Sequence, residues 1–218
     1  MSPTGDTPAA PAPAPARRKR MPRAEREQQM IAIAEAVFSE RGYLAASMDE
    51  IAERVGVSKP MLYEYFNSKE GLLLACIGQS RAELRQVTEQ AVVGASTAEE
   101  ALRRGLGAFF SFIRERRESW SLLRHEMALI GTPAADGIEE TRRQQTDLIA
   151  ALMSTYFDGG PSFAVEATAE VVVGACERLA IWCERHDEVT PEQATEYAMD
   201  LLWGGLARRA SAPSSERP

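Results

Sequence analysis

The sequence predicts an all-α protein of about nine helices, in which a short N-terminal three-helix domain with a helix-turn-helix precedes a longer, wholly helical C-terminal domain. Apolar residues recur at intervals of three and four from Met30 to Leu206, and no stretch alternates with period two as a half-buried strand would. Ser/Thr-x-x-Glu/Gln boxes open several of these runs, and glycine or proline closes them. Residues 1–20 form a disordered Pro/Ala-rich and basic arm, 21–70 the first domain, 71–209 the second, and 210–218 a disordered tail.

The first helix starts near Pro22, buries Met30, Ile31, Ala34, Val37 and Phe38, and stops at Gly42. Ser47-Met48-Asp49-Glu50 is a capping box opening a short second helix that Gly56 interrupts. Ser58 caps the third, from Lys59 to about Phe66, and Asn67-Ser68-Lys69-Glu70 is a box opening the fourth. That fourth helix carries the stripe Leu73, Cys76, Ile77, Ser80, Leu84 and Val87. Thr97 to Glu100 caps a fifth with Leu102, Leu106, Phe109, Phe110 and Ile113; a sixth carries Trp120, Leu123, Met127 and Ile130. A seventh bears Leu148, Ile149, Leu152, Met153 and Tyr156 and ends at Gly159-Gly160-Pro161. The eighth runs from about Ser162 to Arg185, and Thr190 to Gln193 caps a ninth that ends near Arg208.

The composition excludes several classes. Cys76, Cys176 and Cys183 are odd in number with no CxxC, so neither a disulfide framework nor a structural zinc site is expected. The most apolar run, Val171 to Cys176, is far short of the ~20 residues that span a bilayer, so no membrane partner is expected. Behind Arg17-Arg18-Lys19-Arg20 the chain is charged, unlike an export signal, and a cytoplasmic location follows. The net charge of −7 is unevenly placed: residues 1–75 hold ten basic and ten acidic side chains, and the rest holds the whole acidic excess. A neutral head with a basic tip suits contact with phosphate, which responds to local charge.

The densest motif is Ser47 to Lys69. Two short helices crossing through a tight turn need a glycine in the turn, Gly56, and a small residue at the crossing, Ala52. Ile51, Val55, Val57, Leu62 and Phe66 supply the surrounding apolar lock. The opposite face of the second of these helices is left outward, with Lys59, Pro60, Met61, Tyr63 and Glu64 on it and Tyr65 at its flank. Such a helix lies in the major groove of double-stranded operator DNA. Lys59 then meets a guanine or a phosphate, Pro60 and Met61 meet base edges, and the Tyr63 hydroxyl meets a phosphate. Ser47, Ser58 and Lys69 stand at helix N-termini, which favour anions, and Arg20 and Arg23 of the arm can follow the backbone or enter the minor groove. The alternative for the arm is a solvated tail.

Residues 26–75 resemble the N-terminal domain of the TetR family of bacterial regulators. The resemblance rests on Ile31, Ala34, Phe38 and Gly42-Tyr43, on Ser47-Met48 and Ile51-Ala52, and on Gly56-Val57-Ser58-Lys59. It continues through Leu62-Tyr63-Glu64-Tyr65-Phe66, Ser68-Lys69-Glu70 and Leu72-Leu73. It implies an all-helical homodimer whose last two helices pair across the two-fold axis. It also implies a small-molecule pocket in residues 71–209, a ligand-binding and dimerisation domain, and repression relieved by that ligand. Pro60 stands where a small residue such as glycine is common, which bears on base preference.

The eighth helix fits the dimer on its own terms, because Val172, Cys176, Leu179 and Cys183 form one apolar stripe and Val171, Ala175 and Trp182 another. A two-fold dimer calls for a near-palindromic operator. Phe109, Phe110, Trp120, Met127, Met153 and Trp182 are the candidate contacts of an unidentified effector, with core packing the alternative for each. No basic cluster accompanies them, so an apolar or cationic ligand is expected. No cofactor, metal site or catalytic residue is expected: His125 and His186 are the only histidines, and HExxH, GxSxG and GxxxxGK[ST] are absent. A helical enzyme and a protein-binding adaptor carrying a helix-turn-helix are the alternative classes.

Overall fold

The computed structural model describes residues 21–124, 143–144, 146–154 and 163–211, and all the regular structure among them is helical. In chain order the helices are α1 (Arg23–Arg41), α2 (Met48–Val55), α3 (Lys59–Phe66), α4 (Lys69–Val92), α5 (Ala98–Glu115) and α6 (Arg117–Arg124). Helical residues 146–154 form α7, and α8 (Phe163–Cys183) and α9 (Pro191–Ser211) complete the order. Arg20, Met127, Ile130, Tyr156 and the two tails lie outside the described residues.

The N-terminal head closes around side chains that the 3.6-residue period places inward. Met30, Ala34 and Val37 of α1 are fully buried, as are Ile51 of α2, Leu62 of α3 and Leu72 of α4. Burial of such side chains contributes about 1.5–3 kcal/mol each, which is what holds helices of eight residues that could not stand alone. Gly56 ends α2 in the left-handed region at φ 77°, ψ 37°, and its N–H and that of Val57 both reach the Ala52 carbonyl. This turn sets the α2–α3 crossing.

The caps differ in detail from the sequence expectation. Ser47 accepts the Glu50 N–H at 3.1 Å, but the Glu50 carboxylate turns to Arg54 and Arg41 instead of reaching back. Ser58 occupies the N-cap of α3 without a capping hydrogen bond from its side chain. The cap of α4 is Ser68, one residue later than Asn67, and it accepts from Gly71 at 2.9 Å; glycine at that position has no side chain to reach back, so a single cap replaces the expected box. At Thr190 the box is complete, with both reciprocal bonds to Gln193 formed.

The head is joined to the body by α4, which packs against α1 and α3 at one end and against α5 and α6 along its length. The stripe expected on α4 is buried from Leu73 to Leu84, but Val87 is exposed. In the body α5 lies on α9 as well as on α4, and α6 reaches across to α1. Among the described residues no helix is long and apolar enough to cross a membrane, and no group of three or more His, Cys, Asp or Glu could hold a metal ion.

Candidate DNA-binding surface and effector cavity

The recognition surface is built by what α3 hides. Leu62 and Phe66 are buried against α2 and α4, so the other side of an eight-residue helix must face outward. Lys59, Pro60, Tyr63 and Glu64 are exposed there, while Met61 and Tyr65 are half-buried and packed on the core. Two charged contacts pin this face. Lys59 Nζ is 2.9 Å from Asp49 Oδ2 on α2, and that carboxylate holds the Lys59 amine above its ordinary value. The Arg23 guanidinium lies 4.8 Å from the centre of the Tyr65 ring, bringing the start of α1 beside the end of α3.

Lys69 is held differently. Its Nζ stands 4.6 Å over the Tyr43 ring and 3.3 Å from the Leu44 carbonyl, and burial lowers its pKa. Ser47 and Ser58 are both exposed at helix starts. Ser58 makes no capping bond, and a serine hydroxyl keeps its O–H free to donate whether or not its oxygen caps a helix. Sequence reasoning missed the clamp beneath this surface: Arg54 bonds Glu40 of α1 at 3.0 and 2.8 Å and Glu50 of its own helix at 2.7 Å. The interhelical part leaves no periodic trace, since Glu40 and Arg54 are fourteen residues apart.

In the body an apolar cavity of about 140 Å³ lies among α4, α5, α7, α8 and α9. Leu102, Leu106 and Phe109 of α5, Leu152 and Met153 of α7 and Val172 of α8 are among the apolar residues that line it. Space exists because Ala98, Ala101 and Gly105 occupy the stripe of α5 that faces it. Arg85 and Glu177 are the charged residues on its lining. Of the six candidate ligand contacts, Phe109 and Met153 are on this cavity. Phe110 and Trp120 line a second cleft beside the α8–α9 turn, and Trp182 stacks 4.2 Å from His186. Met127 is outside the described residues. The aromatic residues drew attention by size, whereas the informative signal was the run of small residues on α5.

The two apolar stripes expected on α8 differ in burial. Val172 and Cys176 are buried, while Val171, Ala175 and Leu201 face away from the core, with Leu201 82% exposed.

The comparisons agree along the length of the chain. Residues 31–76 match the model of bacterial regulatory proteins of the tetR family, and residues 98–205 match that of the tetracyclin repressor-like C-terminal domain. A transcriptional activator, FasR of Mycolicibacterium smegmatis, is 31% identical over 90% of this chain and 90% of its own length. A TetR-like regulator from Rhodococcus sp. RHA1 is 34% identical, with 86% of this chain and 99% of that one covered at a TM-score of 0.67. The fold is also that of the regulator FadR from Bacillus subtilis, whose structure is a complex with stearoyl-CoA: 19% identity, 82% and 98% coverage, TM-score 0.69. The outward recognition helix, the helical body and these matches lead to one identification: the chain belongs to the TetR family of bacterial helix-turn-helix transcriptional regulators.

Proposed function

We propose that the chain acts in the cytoplasm as a homodimeric repressor that is released from a near-palindromic operator by a long apolar ligand, an acyl chain foremost. In this reading Lys59, Pro60, Met61 and Tyr63 contact the major groove, and Ser47, Ser58, Tyr65, Lys69, Arg20 and Arg23 contact the backbone or the adjacent minor groove. The observation that carries the proposal is the position of α4. Arg85, Thr88 and Val92 near its C-terminal end line the apolar cavity, and its N-terminal end packs against α1 and α3.

A cavity of about 140 Å³ is close to the ~150 Å³ that accommodates benzene, and smaller than an extended acyl chain requires. Such a ligand would therefore bind best to a state in which α4 has moved outward from α5 and α8. Preference for one state over the other is what shifts a two-state regulator. Because the same helix supports α3, moving it changes the separation of the two recognition helices in a dimer. The stearoyl-CoA complex of the B. subtilis regulator supports an acyl ligand, and the activator name of the M. smegmatis relative makes the sign of regulation the point to test.

The experiment is an anisotropy titration of the full chain onto its own upstream DNA with stearoyl-CoA, palmitate or 1-dodecanol present. At least one should weaken binding by about tenfold or more. The response should vanish in Gly105→Met, whose side chain fills the cavity from α5, while DNA affinity without ligand stays as in the wild type. Tighter binding with ligand would overturn the repressor assignment. No response to any of the three would overturn the acyl assignment.

A further inference from the structure

From the start of α1 onward the chain is acidic on balance. Residues 21–75 hold six basic and nine acidic side chains, a balance of −3, and residues 76–218 carry a further −7. Four of the six head cations are already engaged within the fold. Arg54 bonds Glu40 and Glu50, and Arg41 lies 3.4 Å from Glu50. Lys59 is 2.9 Å from Asp49, and Lys69 stands over the Tyr43 ring. Duplex DNA carries about one negative charge per 1.7 Å of its axis, so an acidic protein needs a local source of cations to approach it. Arg17-Arg18-Lys19-Arg20 supplies four in succession, and no acidic residue follows before Glu25.

Those four residues lie outside the described ones, but the point at which their chain enters α1 is fixed. The Arg23 guanidinium is 4.8 Å from the centre of the Tyr65 ring, at the last turn of α3. Pro22 ahead of it has φ −55° and ψ 148°, an extended conformation, so α1 begins there and does not reach back into the basic run. The run therefore ends three residues before a side chain that is stacked on the recognition helix. Residues 17–22 can extend at most about 20 Å, several times the ~6 Å width of a minor groove.

Given the DNA-binding function proposed above, on which this rests, we infer that Arg17 to Arg20 form the main phosphate-binding element of the chain. They run along the strands bordering the minor groove beside each recognition helix, and Tyr65 positions them by holding Arg23. The labour is divided: α3 selects the sequence, and the basic run supplies attraction that is indifferent to sequence. Tyr65 acts here through its ring, so phenylalanine can replace it and leucine cannot.

The full chain and a variant carrying Arg17→Gln, Arg18→Gln, Lys19→Gln and Arg20→Gln are titrated by anisotropy onto a selected operator and a scrambled duplex, between about 50 and 200 mM salt. The four changes should lower the slope of log affinity against log salt by about 3–4 per chain. They should weaken binding to both duplexes by about thirtyfold or more at about 100 mM salt, and leave the preference for operator within about twofold. Tyr65→Leu should lower the slope by about 1, Tyr65→Phe should keep it, and neither should matter once the four cations are gone. Tyr65 also packs on the core, and the combined variant separates the two roles. A weakening by Tyr65→Leu that is the same with and without the four cations would overturn its positioning role. Operator binding whose salt slope is unchanged in the four-site variant would overturn the inference and leave the α3 reading intact. Tighter binding by that variant would do the same, because the run would then lie on acidic faces of its own chain. A wild-type chain that binds no duplex specifically would overturn both.

Discussion

Lys59 Nζ lies 2.9 Å from Asp49 Oδ2, so the first residue of α3 is tied to the first turn of α2 before any DNA is present. The carboxylate orients the amine and also places a negative charge where phosphates would approach. Removing that charge with Asp49→Asn should raise affinity for scrambled DNA by about threefold and narrow the preference for operator. Lys59→Ala should weaken operator binding by about tenfold. Anisotropy titrations on operator and scrambled duplexes at two salt concentrations check both.

Two glycines in the head should respond to substitution for opposite reasons. At Gly56 an added methyl group meets nothing within 4 Å, so Gly56→Ala suffers only the left-handed backbone, about 1–2 kcal/mol. Gly56→Asn should recover part of that loss. At Gly71 the methyl group would fall 2.1 Å from the Phe66 carbonyl oxygen, and backbone must move. Gly71→Ala should cost about 2–3 kcal/mol or more and disturb the α3–α4 junction. Urea unfolding of the three variants gives the comparison.

Leu201 is 82% exposed on α9 and Val171 is 64% exposed on α8, an apolar pair of faces that a single chain leaves in water. Leu201→Glu should reduce the dimer fraction by about tenfold or more at micromolar concentration, with the helical content unchanged. Sedimentation equilibrium and circular dichroism on the same sample measure the two quantities.

The Arg54 guanidinium holds the Glu40 carboxyl below its ordinary value, chiefly through their hydrogen bonds. A depressed carboxylate pKa adds stability above the unfolded-state value and loses it as pH falls through the folded-state value. The α1–α2 clamp should therefore contribute fully at pH 6–8 and fade below about pH 4. Glu40→Gln should flatten the acid side of the melting-temperature profile. The effect should be small, because both side chains meet solvent and water screens the pair.

The head was nearly all legible in the sequence because its signals are local. Ser47, Gly56 and Ser68 act through bonds to residues three to five positions away, and Leu62 and Phe66 share a face by period alone. The body was legible as helices and poorly legible as a site. Whether Phe109 faces a cavity and Phe110 another cleft depends on how α5 is rotated against α4 and α9, which no spacing within α5 encodes. The reach-back expected of Glu50 fails because Arg54 stands one turn ahead and draws its carboxylate away, whereas Glu100, paired with Arg104 one turn ahead, still accepts the Ser96 backbone N–H.

Guanine N7 methylation interference on a selected operator examines most directly whether the outward face of α3 enters the major groove. Interference should appear in two inverted half-sites about one helical turn apart, or a multiple of it, and Lys59→Ala or Met61→Ala should change the pattern at symmetric positions. Binding that is indifferent to N7 methylation, or a pattern that neither α3 variant alters, would contradict this account.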